Sequence, residues 1–244
     1  MKLVFLTALG IGGATVFGSV IGFFVKRIPQ KFSDLTVSFA AGIMLAASVW
    51  GLIIPSLGTE SAAEIALTSL GIMSGALFIG FCQRFIPILR FAAGEDIGEG
   101  EADSALMLLF AMAIHNFPEG LAAGVSLGSG DLSGAAAVAG SIALQNIPEG
   151  MAVIPPMLAV GIKRGRAFVL ALFTGLAEVV GTFLGYRAVI FFDGLLPLSL
   201  AFAGGAMIYV IAHEMIPCAR DRGRLGTYVF CLGVCTMLLL NIIL

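Results

Sequence analysis

Charged residues are scarce in this chain of 244 residues. They make up 11% of the sequence, against about 25% in an ordinary soluble domain, while 59% of the residues are hydrophobic and mean hydropathy is +1.06. So few charges cannot cover the surface of a soluble 25.3 kDa globule. A formal net charge of −2 also provides no basic surface, so we expect no nucleic-acid partner. These absences predict an integral membrane protein whose surroundings are the lipid bilayer.

Long polar segments are equally rare, and continuous apolar sequence fills most of the chain. These runs lack the alternating polarity of a transmembrane β-barrel, whereas a helix crosses the bilayer with about 20 mostly apolar residues. Eight stretches qualify, which predicts an all-α integral membrane protein with eight transmembrane helices in a single domain, 1–244. The predicted spans are 3–25, 35–57, 65–90, 104–128, 133–160, 167–192, 197–217 and 225–244.

Lysine and arginine are almost missing from one side of this predicted bundle. Every basic residue except Lys2 and Arg187 lies in or beside every second connection between spans, and these connections share one side of the membrane. The positive-inside rule assigns the side that carries most of the lysines and arginines to the cytoplasm. We therefore expect a multi-pass protein of the cell membrane with both termini extracytoplasmic, which agrees with an even number of spans. The sequence leaves open whether the bundle forms a homodimer.

Phosphate-binding motifs are also missing, because no connection contains a glycine-rich phosphate loop. We therefore expect neither direct use of ATP nor an organic cofactor. The longest polar connection, 91–103, is predicted to be a solvated cytoplasmic loop. A weak metal-capturing role is the alternative, because carboxylates bind hard cations. Its acids are Glu95, Asp96, Glu99, Glu101 and Asp103.

Ionisable side chains are few inside the predicted spans, and those present are concentrated in a small set. Only four acidic residues lie well inside apolar segments, and both histidines of the chain accompany them. A charged group is costly in the hydrocarbon layer, so residues of this kind are candidates for function. The set is Glu119, Glu149, Glu178, Glu214, His115 and His213.

Two polar hexapeptides interrupt spans four and five. Residues 115–120 read HNFPEG, and residues 145–150 read QNIPEG. In each, the first and fifth residues share a helix face, and the proline obstructs the carbonyl four residues before it. A carbonyl freed at membrane depth needs a partner, such as a hydrated or ion-occupied cavity. The imidazole, amide oxygens and two carboxylates suit a divalent transition metal. Mutual pairing of these groups is the weaker interpretation, because two carboxylates cannot both pair with one imidazole.

Spans six and seven hold further candidates. Glu178 lies among apolar residues, so contact with the same cation is the economical interpretation, and a protonated packing glutamate is the alternative. His213 and Glu214 lie near the cytoplasmic end of span seven. They are predicted to form an additional metal or proton site, or else a hydrogen-bonded pair between helices. A zincin motif is excluded, because its second histidine would fall on Pro217.

The paired hexapeptides resemble those of the ZIP (Zrt/Irt-like) divalent-metal transporters, whose fourth and fifth spans carry His-Asn-x-Pro-Glu-Gly and a related second copy. Gln145, together with the segment FAAGIMLAAS at 39–48, is similar to the GufA-like branch of that family. The resemblance covers essentially the whole chain. It implies a 3+2+3 bundle in which spans one to three and six to eight are inverted repeats. It also implies a binuclear metal centre on spans four and five.

Matching positions imply which residues line that centre. The glutamates of the hexapeptides would bridge two metal positions. The first position would take His115, Glu119, Gln145 and Glu149, and the second would take Asn116, Asn146 and Glu178. The resemblance also implies a contact from span two, by Met44 or Ser48, and an exit-side role for His213 and Glu214.

Two departures from the family pattern bear on selectivity. Gln145 replaces an imidazole with a neutral oxygen ligand, which is expected to weaken affinity and broaden selectivity. Asn146 stands where some relatives have aspartate, so the second position is expected to be the weaker one.

The function predicted from these observations is transport of divalent transition-metal cations into the cytoplasm. Zn2+ is the expected substrate, and Cd2+, Fe2+ and Mn2+ are alternatives. A proton-coupled metal carrier, or a metal-selective channel of other directionality, is the alternative mechanism. An intramembrane metal hydrolase needs three firm ligands, and His115 and Glu119 supply too few imidazoles. We therefore expect no enzymatic activity.

Overall fold

The regular structure of the chain is helical wherever it is described. The computed structural model describes residues 1–24, 30–58, 61–84, 101–159, 162–191 and 196–243. Within these ranges the predicted all-α fold with eight helices is confirmed. The helices are α1 (Lys2–Gly22), α2 (Gln30–Ala46, continued by Ala47–Ile53 and Ile54–Ser56), α3 (Ala62–Gln83), α4 (Glu101–Gly128), α5 (Leu132–Ala159), α6 (Arg164–Phe191), α7 (Leu196–Val210, continued by Ile211–Met215 and Ile216–Asp221) and α8 (Gly223–Ile243).

Six of these helices, α1, α2, α3, α6, α7 and α8, are long and apolar enough to cross a membrane. The other two, α4 and α5, have 28 residues each and carry the polar hexapeptides. Large apolar side chains are exposed along the outside of the bundle, for example Phe5, Leu77, Phe173 and Leu239. A continuous apolar exterior of this kind fits lipid rather than water. The chain is a multi-pass membrane protein.

The acidic loop predicted at 91–103 ends earlier than expected. Helix α4 begins at Glu101, so residues 101–103 are helical rather than part of the loop. The rest of the loop, residues 91–100, lies outside the described residues.

Helices α2 and α7 share a local distortion. Each widens into a π-helix, over Ala47–Ile53 in α2 and Ile211–Met215 in α7, directly before an Ile-Pro pair. Proline offers no N–H to the carbonyl four residues before it, and its ring crowds that carbonyl. The preceding turn therefore widens, as π-helical segments within α-helices commonly do at functional sites.

Glycines allow α1 and α5, and likewise α4 and α6, to touch backbone to backbone. A Cβ at Gly18 of α1 would collide with the carbonyl of Ile147 in α5, and one at Gly181 of α6 would collide with the carbonyl of Phe117 in α4. Small residues are the usual means of close helix approach in membranes. The α1–α5 and α4–α6 pairs therefore hold the two hexapeptides against their neighbours.

Helices α2, α3, α7 and α8 pair in a matching way. A Cβ at Gly42 of α2 would meet the carbonyl of Phe230 in α8, and one at Gly205 of α7 would meet the carbonyl of Ile72 in α3. Gly42 and Gly205 lie 163 residues apart in the sequence. Thr15 of α1 and Glu178 of α6 have the same separation, and these two residues are hydrogen-bonded to each other. The helix pairs of the first part of the chain thus recur in the last part.

Candidate metal site

The two hexapeptides meet in the interior of the bundle. His115 and Glu119 lie one turn apart on α4, and Glu149 approaches them from α5. All three side chains are buried, and each offers a ligand atom within 4.8 Å of the others. An imidazole with two carboxylates at this spacing can hold a divalent transition metal.

Gln145 belongs to the same cluster. Its Nε2 donates a hydrogen bond of 2.6 Å to Glu119 Oε1, which also lies 3.5 Å from His115 Nε2. The buried amide therefore presents its nitrogen to the carboxylate. Gln145 lies beside the cluster, and in this arrangement it is a donor to Glu119.

Several oxygens of the cluster have no hydrogen-bond partner among the described residues. Both carboxylate oxygens of Glu149 and Oε2 of Glu119 are in this state. A buried polar atom without a partner costs about 1–3 kcal/mol, and more if it is charged. The cluster is therefore a place where a cation would be favourable.

A second polar group lies next to this cluster and is centred on Glu178 of α6. Asn116 Nδ2 donates to Glu178 Oε1 over 2.7 Å, and Asn146 Nδ2 donates to Glu178 Oε2 over 2.6 Å. The hydroxyl of Thr15 in α1 donates to Oε1 over 2.5 Å. The structure thus brings together Asn116, Asn146 and Glu178 through hydrogen bonds. It adds Thr15, which the sequence prediction missed.

The described contacts of Glu214 and His213 are with different residues. Glu214 Oε2 lies 3.6 Å from His115 Nδ1, and Gln83 of α3 donates a short hydrogen bond to Glu214 Oε1. His213 is exposed, and its ring lies 5.5 Å from that of Tyr209. Consecutive residues on a helix point in different directions, which agrees with these different contacts. Gln83 is a second residue that the sequence prediction missed.

The span-two candidates are both buried. Ser48 Oγ donates 2.7 Å to the carbonyl of Met44, and Met44 packs in an apolar cluster with Ala122 and Met207. Among the interactions described for these two side chains, none is with a carboxylate.

Comparisons with known proteins identify the family. Residues 92–241 match the family model described as "ZIP Zinc transporter". The chain is 36% identical to the zinc transporter GufA of Myxococcus xanthus over 225 residues, covering 89% of each chain. It is 34% identical to the zinc transporter ZupT of Oceanobacillus iheyensis, covering 97% of this chain and 96% of that one.

The chain belongs to the ZIP zinc transporter family. A further ZIP relative, the zinc transporter ZupT of Clostridium perfringens, is 31% identical and covers 91% of this chain and 88% of its own. The predicted resemblance to ZIP proteins is therefore confirmed, including the similarity to GufA. ZIP proteins are membrane transporters and not enzymes, so the hydrolase hypothesis is set aside.

Proposed function

We propose that this ZIP protein transports zinc across the membrane, through the site between α4 and α5. The observation that carries the proposal is the buried cluster of His115, Glu119 and Glu149, whose carboxylate oxygens have no hydrogen-bond partner among the described residues. Two carboxylates and one imidazole replace part of the hydration shell of Zn2+. A neutral glutamine beside them keeps the site weak enough to release the ion, as a transport site requires.

The proposal extends to two adjacent metal positions. Alongside the first cluster, Gln145 is assigned to the first position, and Asn116, Asn146 and Glu178 contribute to the second. Glu119 and Glu149 would bridge the two metals. Three carboxylates in one buried region support this assignment, because two divalent cations balance their charge better than one. Cd2+, Fe2+ and Mn2+ are proposed as further substrates, because oxygen ligands discriminate weakly among divalents.

We propose that the helices form a 3+2+3 bundle with inverted repeats, in which the part that carries α4 and α5 moves against the rest. The matching helix pairs support the repeat, since Gly42 and Gly205 lie 163 residues apart and each meets a backbone carbonyl of its partner helix. Equivalent packing on either side of the site would allow two alternative arrangements of similar energy.

The proposed direction is toward the cytoplasm, with both termini extracytoplasmic. The distribution of basic residues supports this orientation. Arg222 at the end of α7 forms an ion pair with Asp34 at the start of α2, so these two helix ends lie on the same side of the bundle. Glu214 is proposed as an additional metal or proton site, because it contacts His115 from α7. Proton coupling through Glu214 is the alternative mechanism that this contact favours.

Uptake of zinc by sealed proteoliposomes containing the purified protein tests the function. We expect uptake that saturates with zinc concentration, as for a carrier. Uptake that rises linearly would indicate a channel, and uptake that depends on an imposed proton gradient would indicate proton coupling. Absence of uptake for zinc and for every other divalent tested would refute the proposal. Liposomes without protein are the control.

Changing Gln145→His is expected to tighten zinc binding and narrow selectivity. An imidazole next to Glu119 supplies a nitrogen ligand that favours zinc over manganese. We expect zinc affinity to rise by about tenfold, which corresponds to about 1.4 kcal/mol. Calorimetric titration of wild type and variant with Zn2+ and with Mn2+ measures both effects. Equal selectivity in the two proteins would show that residue 145 is not a ligand.

A further inference from the structure

We propose that an anionic phospholipid binds at one end of the bundle, where the start of α2 meets the turn between α7 and α8. Lys31, Arg220 and Arg224 contact its headgroup, and its acyl chains lie along the exposed face of α8. No residue of the metal site takes part, so the inference goes beyond the proposed zinc transport and does not depend on it.

The turn between α7 and α8 is short and closely packed. Helix α8 begins two residues after α7 ends, at Gly223, whose φ of +59° lets the chain reverse. A Cβ at Gly226 would lie 2.1 Å from the carbonyl oxygen of Ala219, so the two helix ends touch backbone to backbone. Arg220 and Arg224 flank this contact, one on each helix, and both are exposed. The turn therefore brings two arginines to the same end of the bundle.

An ion pair attaches the start of α2 to this turn. Nε of Arg222 donates a hydrogen bond of 2.5 Å to Asp34 Oδ2, and Nη2 of the same guanidinium also pairs with that oxygen. Lys31 precedes Asp34 by three residues, so it lies on the same side of α2, and it is exposed. Lys31 therefore stands at the edge of the turn that carries Arg220 and Arg224.

Positive charge is in excess at this end of the bundle. Residues 31–34 and 220–224 contain four basic and two acidic side chains, which leaves a formal charge of +2. One of the four basic residues, Arg222, is paired with Asp34. The other three form no ion pair with any of the described residues. Basic residues next to a membrane-spanning helix attract anionic lipids, so these three exposed cations suit a phosphodiester headgroup.

An apolar surface continues from these cations along α8. Tyr228 and Leu232 follow Arg224 at intervals of four residues, so the three share one face of the helix. Tyr228 is 68% exposed and Leu232 is 58% exposed, and Phe32 is exposed beside Lys31 on α2. A cation followed by an aromatic ring and then an aliphatic side chain matches the order of headgroup, interface and acyl chains in a bilayer. This continuity favours a phospholipid over a free phosphate ion.

Tryptophan fluorescence measures which lipid lies next to α8. The chain has one tryptophan, so Trp50→Phe combined with Tyr228→Trp places a single reporter one turn after Arg224. This protein is reconstituted in vesicles of phosphatidylglycerol and phosphatidylcholine, in which one lipid or the other is brominated, because bromine quenches tryptophan. The two quenching curves give the relative association of the lipids at residue 228. We expect phosphatidylglycerol to be favoured about fivefold.

Matched variants locate the binding site. Adding Arg220→Gln and Arg224→Gln is expected to lower the preference at residue 228 to less than about twofold, because two of the three cations are lost. Adding Lys163→Gln and Arg164→Gln instead removes the same charge from exposed residues at the start of α6, and the preference is expected to stay near fivefold. Wild-type protein reports from Trp50, near the other end of α2, where we expect no preference.

Three results would overturn the inference. Equal preference at residues 50 and 228 would mean that anionic lipid surrounds the protein without a specific site. A preference that survives the loss of both turn arginines would place the lipid elsewhere. The third concerns potassium phosphate, which is compared with potassium chloride at equal ionic strength so that screening is the same. A preference that phosphate alone abolishes would assign the site to a free anion.

Native mass spectrometry gives a second measurement that needs neither tryptophan change. The protein is purified in detergent that contains both lipids, and the retained lipid is counted. We expect wild type to retain phosphatidylglycerol over phosphatidylcholine, and Arg220→Gln with Arg224→Gln to lose most of this retention. Equal retention of phosphatidylglycerol by the two proteins would contradict the proposed site. Tm in detergent verifies that each variant is folded.

Discussion

Zinc uptake will fall to background in the Glu149→Gln variant. Both oxygens of Glu149 are buried and without a hydrogen-bond partner among the described residues, so the side chain has no visible structural task. The change keeps the volume of the side chain and removes the charge that faces His115 and Glu119. We expect zinc affinity to drop at least about 100-fold, which corresponds to about 2.8 kcal/mol of binding free energy.

The same variant is expected to fold at least as well as wild type when zinc is absent. Removing a buried charge that accepts no hydrogen bond from the described residues takes away a desolvation cost. The measurement is uptake by proteoliposomes, together with Tm in zinc-free detergent. Glu64→Gln is the matched control, because Glu64 lies in an exposed capping box at the start of α3, where glutamine also serves. Uptake retained in Glu149→Gln would contradict the assigned site.

The parts of the fold and site that the sequence predicts are those governed by local rules. Continuous apolar runs predict the helices, because backbone hydrogen bonds must be satisfied within each span. The repeat of one helical turn places His115 beside Glu119, and the second hexapeptide carries Glu149 at the equivalent position. Only a handful of ionisable groups is available at membrane depth, so their clustering also follows from composition.

The parts that escape prediction depend on contacts between distant helices. Thr15 reaches Glu178 only because α1 packs against α6, two helices that are far apart in the sequence. The one available signal is the spacing of small residues around Thr15, which recurs around Glu178. Gln83 likewise meets Glu214 across α3 and α7. Adjacency in sequence is a weaker guide than helix geometry at His213, which is next to Glu214 and has its described ring contact with Tyr209.

The close approach of α1 to α5 leads to the other large expected effect, in Gly18→Ala. A Cβ at this position would collide with the carbonyl group and Cα of Ile147. These are backbone atoms, which cannot move aside as a flexible side chain can. Overpacking in a well-packed core costs about 1–3 kcal/mol, and a backbone obstacle belongs at the upper end. We expect Tm to fall by about 5–10 °C.

Zinc uptake should fall together with Tm in the Gly18→Ala variant. Ile147 lies between Asn146 and Pro148 in the second hexapeptide, so separating α1 from α5 displaces the site. Gly13→Ala is the matched control in the same helix, since a Cβ there has nothing within 4 Å. Alanine is the better helix former by about 1 kcal/mol, so its Tm should stay level or rise slightly. Comparing Tm and uptake of the two variants thus separates the helix contact from helix propensity.

Equal Tm and equal uptake would mean that α1 does not hold the second hexapeptide in place. A Gly18→Ala protein that is destabilised yet fully active would mean that the site tolerates movement of α5. The glycines would then be needed for assembly of the bundle alone, and the position of Asn146 would have to be maintained by its hydrogen bonds.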